Sequence, residues 1–354
     1  MSEGVMHEEK KKIKIAFTDF WPEFNIYDNI FVTLLLKHYN VEIIDALLHP
    51  ERKEEVEYLF YSMMGYNYLG YNCVRIFYTG ENIVPDFNLC DYAIGFEHMS
   101  IQDRYIRIPL YCIAYREDVE GMETKKNSSP ETLKALYNRK FCAMVVSNGN
   151  NADSFRQDLF EKLSHYRKVD SGGRFANNIG KPEGIDNKKD FLAAYKFSFA
   201  VENVSHKGYC TEKIVQSFAA NTVPIYWGDS SVVESFNKKA FINCNDFNSI
   251  EAIVDYIKKV DQDDNLYGEM LSSVPILENQ MKLADYDREL ESFLCGIISQ
   301  PYAVALRRNL CGSMNFYENS VRERNKWDDF IVKRGKISTF QRLQCLKMFI
   351  KGRY

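Results

Sequence analysis

Long apolar runs are missing from this chain of 354 residues. No stretch of about 20 consecutive apolar residues occurs, so no segment is expected to span a membrane. The N-terminal sequence MSEGVMHEEKKK has no apolar core of the kind found in signal peptides, so no secretory signal is expected. The nine cysteines are scattered, and no two of them form a CxxC pair. This spacing argues against a zinc site or a disulfide framework and favours a reducing, cytoplasmic setting.

An excess of positive charge is also missing. Lys and Arg number 45 against 49 Asp and Glu, for a net charge of −4, so a protein-wide nucleic-acid-binding surface is not expected. Hydrophobic residues make up 45% and aromatic residues 14% of the chain, which is enough for well-packed cores and argues against disorder. The length predicts two domains.

The standard nucleotide-binding loops are absent as well. The sequence contains no GxxxxGK[ST] and no GxGxxG after a strand. The segment SGGRFANNIG is rich in glycine but fits neither spacing; we interpret it as a nest of backbone N–H groups with Arg174 as a phosphate partner. No Asp-x-Asp triplet lies near residues 197–229, so no obligatory metal or other cofactor is predicted, and a divalent metal is expected to be stimulatory at most.

Short β-rich runs alternate with helical stretches along the chain. IKIAFTDFW, NIFVTLLLKHY and VEII form a β-α-β opening, and RIFYTG and DYAIGF read as further strands. A second series begins at FCAMVVSN, after the polar and charged residues 118–140. The pattern predicts two Rossmann-like α/β domains, in which ligands bind beyond the carboxyl ends of the strands.

The predicted organisation is a first domain over residues 12–138, a second over 139–300, and a C-terminal segment over 301–354 whose helices return to the body. Residues 333–354 carry seven basic side chains and no acidic one. One interpretation is a tail that contacts an anionic membrane surface, at roughly 1 kcal/mol per basic residue. The other is a terminal helix packed on the body, which the poor separation of apolar and basic positions favours.

The stretch FSFAVENVSHKGYCTEKIVQSFAANTVPIYWGD, residues 197–229, reads as strand, turn, helix and strand. Lys213 falls in the first turn of the helix, where a cation opposes the helix dipole. A bound anion would compensate for this conflict, and helix N-termini are phosphate sites. The alternative is a capped helix with a solvated lysine. Four further side chains belong to the same candidate site: Glu212, Tyr209, Glu202 and Asn203.

This stretch resembles the signature of the α1,3-fucosyltransferases. In that family Glu-Asn follows a strand, Tyr-x-Thr-Glu-Lys opens a helix, and Val-Pro-x-x-x-Gly forms the next strand. RIFYTGENIVPDFNLCDYAIGFE and DRYIRIPLY are similar to the N-terminal half of bacterial members such as the Helicobacter Lewis-antigen enzymes. The resemblance extends over roughly residues 12–263, and the heptad-repeat tail of some bacterial members is absent.

The resemblance implies a GT-B fold, with two Rossmann-like domains facing across a cleft. It implies GDP-L-fucose as the donor, held mainly by the C-terminal domain. It also implies an acceptor of the N-acetyllactosamine or lactose type, fucosylated with inversion at O3 of GlcNAc or glucose to give Lewis x-type glycans. The expected location is the cytoplasm, with peripheral contact of the basic tail with the inner face of the cytoplasmic membrane as the further option.

The resemblance also implies roles for single residues. Lys213 would neutralise the diphosphate, and Glu212 would contact the ribose or fucose side of the donor. Tyr209 and Asn203 are in register with donor-site positions. The general base maps onto Glu81, with Glu97 as the rival base and His98 as a weaker candidate. The bacterial relatives place a phosphate-binding arginine two positions after Arg174, where this chain has Ala176.

Two other functions remain open from the sequence. One is an inverting GT-B transferase that uses another nucleotide sugar. The other is a non-catalytic glycan- or nucleotide-binding protein of the same fold. The sequence leaves undecided the exact acceptor, the choice between α1,3 and α1,4 linkage, the oligomeric state, and whether Arg174 replaces the family's arginine.

Overall fold

A computed structural model describes residues 9–125, 133–147, 149, 152–308 and 311–333. The chain divides into two compact units. The first comprises the described residues within Met1–Tyr78, Pro85–Ala93 and Ile298–Tyr354, and the second comprises those within Thr79–Val84 and Ile94–Ile297. Most of the basic C-terminal tail, residues 334–354, lies outside the described residues, so both interpretations of it stay predictions.

The described elements alternate between strands and helices. The strands are β1 Lys12–Thr18, β2 Asn40–Ile43, β3 Tyr58–Tyr61, β4 Val74–Tyr78, β5 Tyr92–Gly95, β6 Tyr105–Arg107, β7 Lys140–Met144, β8 Val169–Ser171, β9 Tyr195–Val201, β10 Val223–Trp227 and β11 Ile242–Asn243. The helices are α1 Ile30–Leu36, α2 Tyr111–Ala114, α3 Arg116–Glu123, α4 Ser154–Tyr166, α5 Lys188–Ala193, α6 Glu212–Ala219, α7 Ile250–Gln262, α8 Asp264–Ser272, α9 Leu283–Ser299, α10 Tyr302–Ala305 and α11 Ser313–Lys333.

Strands β1 to β6 form one sheet with the order β2-β1-β3-β4-β5-β6. The ladders between β1 and β2, β1 and β3, and β3 and β4 are parallel. Aromatic rings fill the core of the first unit: the Phe17 and Phe60 rings stack at 5.1 Å, and the Phe31 and Phe60 rings at 5.2 Å. Parallel strands buried on both faces explain why this half reads as short apolar runs.

The segment after residue 298 belongs to the first unit through buried ion pairs. Arg308 Nε donates to Asp91 Oδ2 at 2.9 Å, and both side chains are at most 2% exposed. Arg75, in β4, pairs with Glu318 of α11 at 3.0 Å. Buried charges need partners of this kind, so these contacts hold the C-terminal helices in place.

Strands β7 to β11 form the second sheet, with the order β11-β10-β9-β7-β8. Its ladders β7–β8, β7–β9, β9–β10 and β10–β11 are all parallel. Every residue of β9, the strand YKFSFAV, is buried, as expected for a central strand covered on both faces. The carboxyl ends of these strands share one edge of the sheet, where parallel α/β sheets bind ligands.

The main predicted elements of the second half occur in the structure. The predicted helix DSFRQDLFEKLSHY is α4, and the side chain of its N-cap Asp153 accepts from Phe155 N. The helix predicted from Thr211 is α6, with Thr211 as its N-cap. In the described residues, no helix combines the length and apolar character needed to cross a membrane.

Candidate functional site

The predicted donor residues lie at the carboxyl edge of the second sheet. Glu202 and Asn203 follow β9 directly, and Gly228 follows β10. The turn from 203 to 211 leads into α6, whose first residues are Glu212 and Lys213. A parallel sheet with helical crossovers places strand ends and helix starts at this same edge, which brings these residues together.

Glu202 is the centre of this cluster. Its side chain is 0% exposed and accepts hydrogen bonds from Thr211 N at 2.8 Å, from the Thr211 hydroxyl at 2.7 and 2.9 Å, and from Lys213 Nζ at 2.7 Å. Gly228 lies against it with a φ of +149°, and a Cβ there would come within 2.5 Å of Glu202 Cγ. Glu202 therefore fixes the start of α6 and holds Lys213, instead of presenting its carboxylate to solvent.

The positive charge of Lys213 is compensated by a carboxylate of the protein itself. Its side chain is 13% exposed, and its ammonium donates to Glu202 Oε2 at 2.7 Å and to the Thr211 hydroxyl at 2.9 Å. Burial alone would lower the pKa of Lys213, but attraction to Glu202 and Glu212 outweighs it and raises the pKa. Glu202 offsets this cation because the turn after β9 folds back onto the strand end; the anion expected at Lys213 stays a prediction. An ammonium has three N–H groups, so one remains for a ligand.

Glu212 joins Lys213 to a second lysine. Glu212 Oε1 lies 3.7 Å from Lys213 Nζ and 4.0 Å from the Nζ of Lys188, the first residue of α5. Burial would raise the pKa of Glu212, but the two ammonium groups hold it below its usual value. Sequence reasoning missed Lys188. The signal was available, because Lys188 also begins a helix that follows a strand of the same sheet.

Tyr209 connects the candidate base to this region. Its ring is buried, packs edge-on against Phe96 at 5.3 Å, and its hydroxyl donates to Glu81 Oε2 at 3.3 Å. Burial, together with the negative charge of Glu202, raises the pKa of Tyr209, so the phenol stays a donor. Glu81 itself is exposed, and the Thr79 hydroxyl bonds to its backbone N–H and C=O at 3.1 and 2.7 Å.

The rival base Glu97 is already paired. His206 Nε2 lies 2.6 Å from Glu97 Oε1, and the Glu97 side chain is 15% exposed. The third candidate, His98, is 3.1 Å from the Ser231 hydroxyl, and burial and Arg107 lower its pKa. Glu81 therefore differs from Glu97 in being exposed and bonded through one phenol.

The side chain of Asn203 accepts a hydrogen bond from a buried arginine. Arg156 is 1% exposed, and its Nη2 donates to Val201 O at 3.0 Å and to Asn203 Oδ1 at 2.7 Å. Burial lowers the pKa of Arg156. Sequence reasoning missed this residue too, because nothing in the pattern of α4 distinguishes a buried arginine from a surface one.

The glycine-rich segment follows β8 at the same sheet edge. A Cβ on Gly173 would come within 2.0 Å of Val146 O, so only glycine allows this close approach to the end of β7. Arg174 next to it is exposed and makes no side-chain hydrogen bond or ion pair to any described residue. Ala176 has a φ of +47°, a left-handed conformation uncommon for alanine.

Comparison with known protein families gives matches to both halves. Residues 15–115 match the α-(1,3)-fucosyltransferase FucT N-terminal domain, and residues 136–297 match the C-terminal part of glycosyltransferase family 10 (fucosyltransferase). The chain belongs to the α-(1,3)-fucosyltransferase family. This confirms the resemblance seen in the sequence.

Individual relatives support the assignment of this chain to the fucosyltransferase family. It is 33% identical over 297 residues to an α-(1,3)-fucosyltransferase FucT of Helicobacter pylori, an alignment that covers 75% of this chain and 60% of that protein. A crystal structure of an α1,3-fucosyltransferase with GDP-fucose matches with a TM-score of 0.67 and 27% identity, over 85% of this chain and 95% of that one. One of an α1,3-fucosyltransferase with GDP matches with a TM-score of 0.68 and 28% identity, over 85% and 93%.

These likenesses and the two parallel sheets confirm the predicted fold class of this fucosyltransferase-family member as α/β of the GT-B type. Within the second unit, the structure brings Glu202, Glu212 and Lys213 into one cluster of ion pairs. Tyr209, in the turn before α6, bonds separately to Glu81. The structure also places Lys188 and Arg156, which the sequence did not single out, at this site. Among the described residues, no group of three or more His, Cys, Asp or Glu could hold a metal ion.

Proposed function

We propose that this chain transfers L-fucose from GDP-β-L-fucose to O3 of GlcNAc or glucose in acceptors of the N-acetyllactosamine or lactose type. The observation that carries the proposal is the cluster at the start of α6, where Lys213 keeps one N–H for a ligand, together with Glu81 held by Tyr209 in the same unit. Family membership and the GDP-fucose named for a structural relative support the choice of donor.

The donor diphosphate binds at the start of α6. The remaining N–H of Lys213 contacts a phosphate oxygen, and the first backbone N–H groups of the helix add partial positive charge. The Thr211 side chain makes no capping bond to these N–H groups, because Glu202 engages its hydroxyl. Charge that develops on GDP as it leaves is stabilised by groups already in position. Arg174, exposed at the neighbouring strand end, is a further phosphate partner in this proposal.

The reaction is a single displacement with inversion. Glu81 accepts the proton of the acceptor hydroxyl as its oxygen forms a bond to C1 of fucose. The bond between C1 and the phosphate oxygen breaks with its electron pair going to GDP, and the β-linked sugar becomes α-linked. A positioned carboxylate base of this kind contributes about 10²- to 10⁴-fold. We favour Glu81 over Glu97 because His206 occupies the Glu97 carboxylate at 2.6 Å.

Residues 139–300 are proposed to hold the donor and residues 12–138 the acceptor. Lewis x-type products, a cytoplasmic location and peripheral membrane contact of residues 333–354 are proposals for experiment. The chain spans 60% of the length of the Helicobacter pylori relative, so the activity of the whole protein is part of the proposal.

The test uses purified protein with GDP-fucose and N-acetyllactosamine, measuring GDP release and product mass. The wild type is expected to form a fucosylated trisaccharide, and Glu81→Gln to lose at least about 100-fold in kcat/KM. Glu97→Gln is the matched control and should retain activity within a few-fold. An active Glu81→Gln with an inactive Glu97→Gln would move the base to Glu97. A wild type that does not bind GDP-fucose would overturn the donor, and a donor screen would then identify another nucleotide sugar.

A further inference from the structure

Lys188 is an ammonium group at the candidate site that the proposed mechanism does not use. Its side chain is 27% exposed, and its Nζ is 4.0 Å from Glu212 Oε1, beyond hydrogen-bond distance. Lys188 makes no hydrogen bond through its side chain to any residue that the structure describes. Its N–H groups therefore remain available to a ligand, unlike two of those on Lys213.

The topology places Lys188 and Lys213 at the same sheet edge. Lys188 begins α5, which follows β8, and Lys213 lies in the first turn of α6, which follows β9. Strands β8 and β9 flank β7 in the second sheet, and all three run parallel. The starts of the crossover helices are then both at the carboxyl edge. Glu212 Oε1 contacts both ammonium groups, at 3.7 Å from Lys213 Nζ and 4.0 Å from Lys188 Nζ.

A second cation makes the charge around Lys213 more favourable for an anion. Glu202, Glu212 and Lys213 together carry a net charge of −1 when all are ionised, which would repel a diphosphate. Lys188 brings the cluster to neutrality. The α6 N-terminus, and Arg174 where it reaches the ligand, then make the site positive. Lys188 therefore supplies positive charge that Lys213, already balanced by Glu202, does not.

We propose that Lys188 is a second diphosphate-binding residue, which with Lys213 holds the two phosphates of the nucleotide donor. This inference rests on the proposed function of the site as a nucleoside-diphosphate-sugar site. Lys188 leaves its loose contact with Glu212 and forms charge-assisted hydrogen bonds to a phosphate oxygen. Both ammonium groups lie within 4.0 Å of Glu212 Oε1, so the two lysines are close enough together to contact adjacent phosphates.

The protonation of Lys188 supports this role. Burial lowers its pKa, Lys213 lowers it further, and Glu212, Glu202 and Asp118 act in the opposite direction. A bound diphosphate favours the charged ammonium. GDP affinity should therefore fall as the pH rises through the pKa of Lys188, while Lys213, with its raised pKa, stays charged. An arginine at position 188 would stay charged as the pH rises, because the guanidinium pKa is far higher than that of lysine.

The experiment measures binding of GDP and of guanosine by calorimetry to wild type, Lys188→Ala, Lys188→Arg and Lys189→Ala. Lys189 is the adjacent, exposed lysine and serves as the matched control. We expect Lys188→Ala to weaken GDP binding by about 10- to 100-fold, with guanosine binding unchanged. Lys188→Arg should restore GDP binding and remove the decline in GDP affinity that the wild type shows as the pH rises.

The other possible outcomes distinguish failure of the inference about Lys188 from failure of the proposed function. Equal losses of GDP and guanosine affinity in Lys188→Ala would show a general structural role and overturn the inference. GDP affinity unchanged by Lys188→Ala would also overturn it while leaving the proposed function intact. A wild type that binds neither GDP nor GDP-fucose would remove the proposed function and this inference together.

Discussion

The hydroxyl of Tyr209 donates a hydrogen bond to Glu81 Oε2 at 3.3 Å, across 128 residues of sequence. Tyr209 is buried and follows β9 by way of the turn that positions Lys213, whereas Glu81 follows β4 and is exposed. The turn that leads to the candidate phosphate ligand Lys213 therefore also contacts the candidate base, through Tyr209. We propose that this contact sets the direction of the Glu81 carboxylate.

Tyr209→Phe removes the hydroxyl and keeps the ring against Phe96. We expect kcat to fall about 10-fold, because one hydrogen bond to a charged group is lost and the carboxylate is no longer directed. The unfolding temperature should stay close to that of the wild type. The measurement is steady-state kinetics with saturating donor and acceptor.

A double-mutant cycle separates orientation of the base from a direct contact of Tyr209 with the donor. If Tyr209 acts through Glu81, adding Tyr209→Phe to Glu81→Gln should cost nothing more in kcat. Fully additive losses would instead assign Tyr209 to the donor. A raised donor KM with unchanged kcat would point the same way.

The buried carboxylate of Asp261 is expected to make the stability of the fold depend on pH. Its side chain is 2% exposed and accepts from Lys196 Nζ at 2.8 Å and from Arg167 Nη1 at 2.7 Å. Burial alone would raise the pKa of Asp261, but these bonds hold it below its usual value of 3.8. A lowered carboxyl pKa stabilises the fold above the unfolded-state pKa, and this contribution is lost as the pH falls through the folded-state value.

Asp261→Asn should therefore lower the free energy of unfolding by about 3 to 5 kcal/mol at pH 7, because Lys196 is left buried without its charge partner. The difference from wild type should begin to shrink as the pH falls to about 3.9, the unfolded-state pKa, because the unfolded wild-type carboxyl group then binds a proton before the folded one does. It should disappear only below the lowered folded-state pKa of Asp261. Urea unfolding at pH 7 and pH 3.5 measures both values. Asp255→Asn is the control, since that side chain is 73% exposed and should change stability little. A difference from wild type that is equal at both pH values would contradict the linkage.

The sequence allowed the fold class and the position of the candidate site to be predicted, because both depend on local patterns. Apolar runs that end at Gly or Glu-Asn mark the strand ends, and Thr-Glu-Lys marks the start of α6. The bonds within the site could not be predicted in this way. Whether Glu202 reaches Lys213 depends on how the intervening turn folds. Gly228 and Asp229, which follow β10, shape that turn: Asp229 Oδ1 accepts from Gly208 N at 2.7 Å.

Short or weakly patterned elements were also not predicted. β8 has three residues and β11 has two, too few for any periodicity to be visible. The charge partner of Lys188 is 24 positions away in the sequence, so its role depends on the packing of α5 beside α6. A buried arginine such as Arg156 becomes apparent only when its acceptors at the end of β9 are known.

The positively charged groups of the site give a physical reason for the prediction that turnover needs no divalent metal. Lys213, the start of α6 and, by our inference, Lys188 supply positive charge where a divalent metal would otherwise act on the leaving diphosphate. We expect turnover with excess EDTA to stay within about twofold of the untreated value, since these fixed groups do the same work. A loss of more than about tenfold that Mn²⁺ or Mg²⁺ restores would contradict this prediction.

Glu202→Gln tests whether the buried carboxylate compensates Lys213 in the absence of ligand. Glutamine has the same shape, but it leaves an ammonium that is 13% exposed without its nearest negative charge. The ligand-free variant should lose about 3 kcal/mol of stability, as expected when one partner of a buried pair is removed. A diphosphate would then supply the missing charge, so GDP should raise the unfolding temperature of the variant more than that of the wild type. Thermal unfolding with and without GDP, and with guanosine as the uncharged control, measures this difference. An equal or smaller rise in the variant would mean that the diphosphate does not contact Lys213, and the proposed donor site would have to be placed elsewhere on the sheet edge.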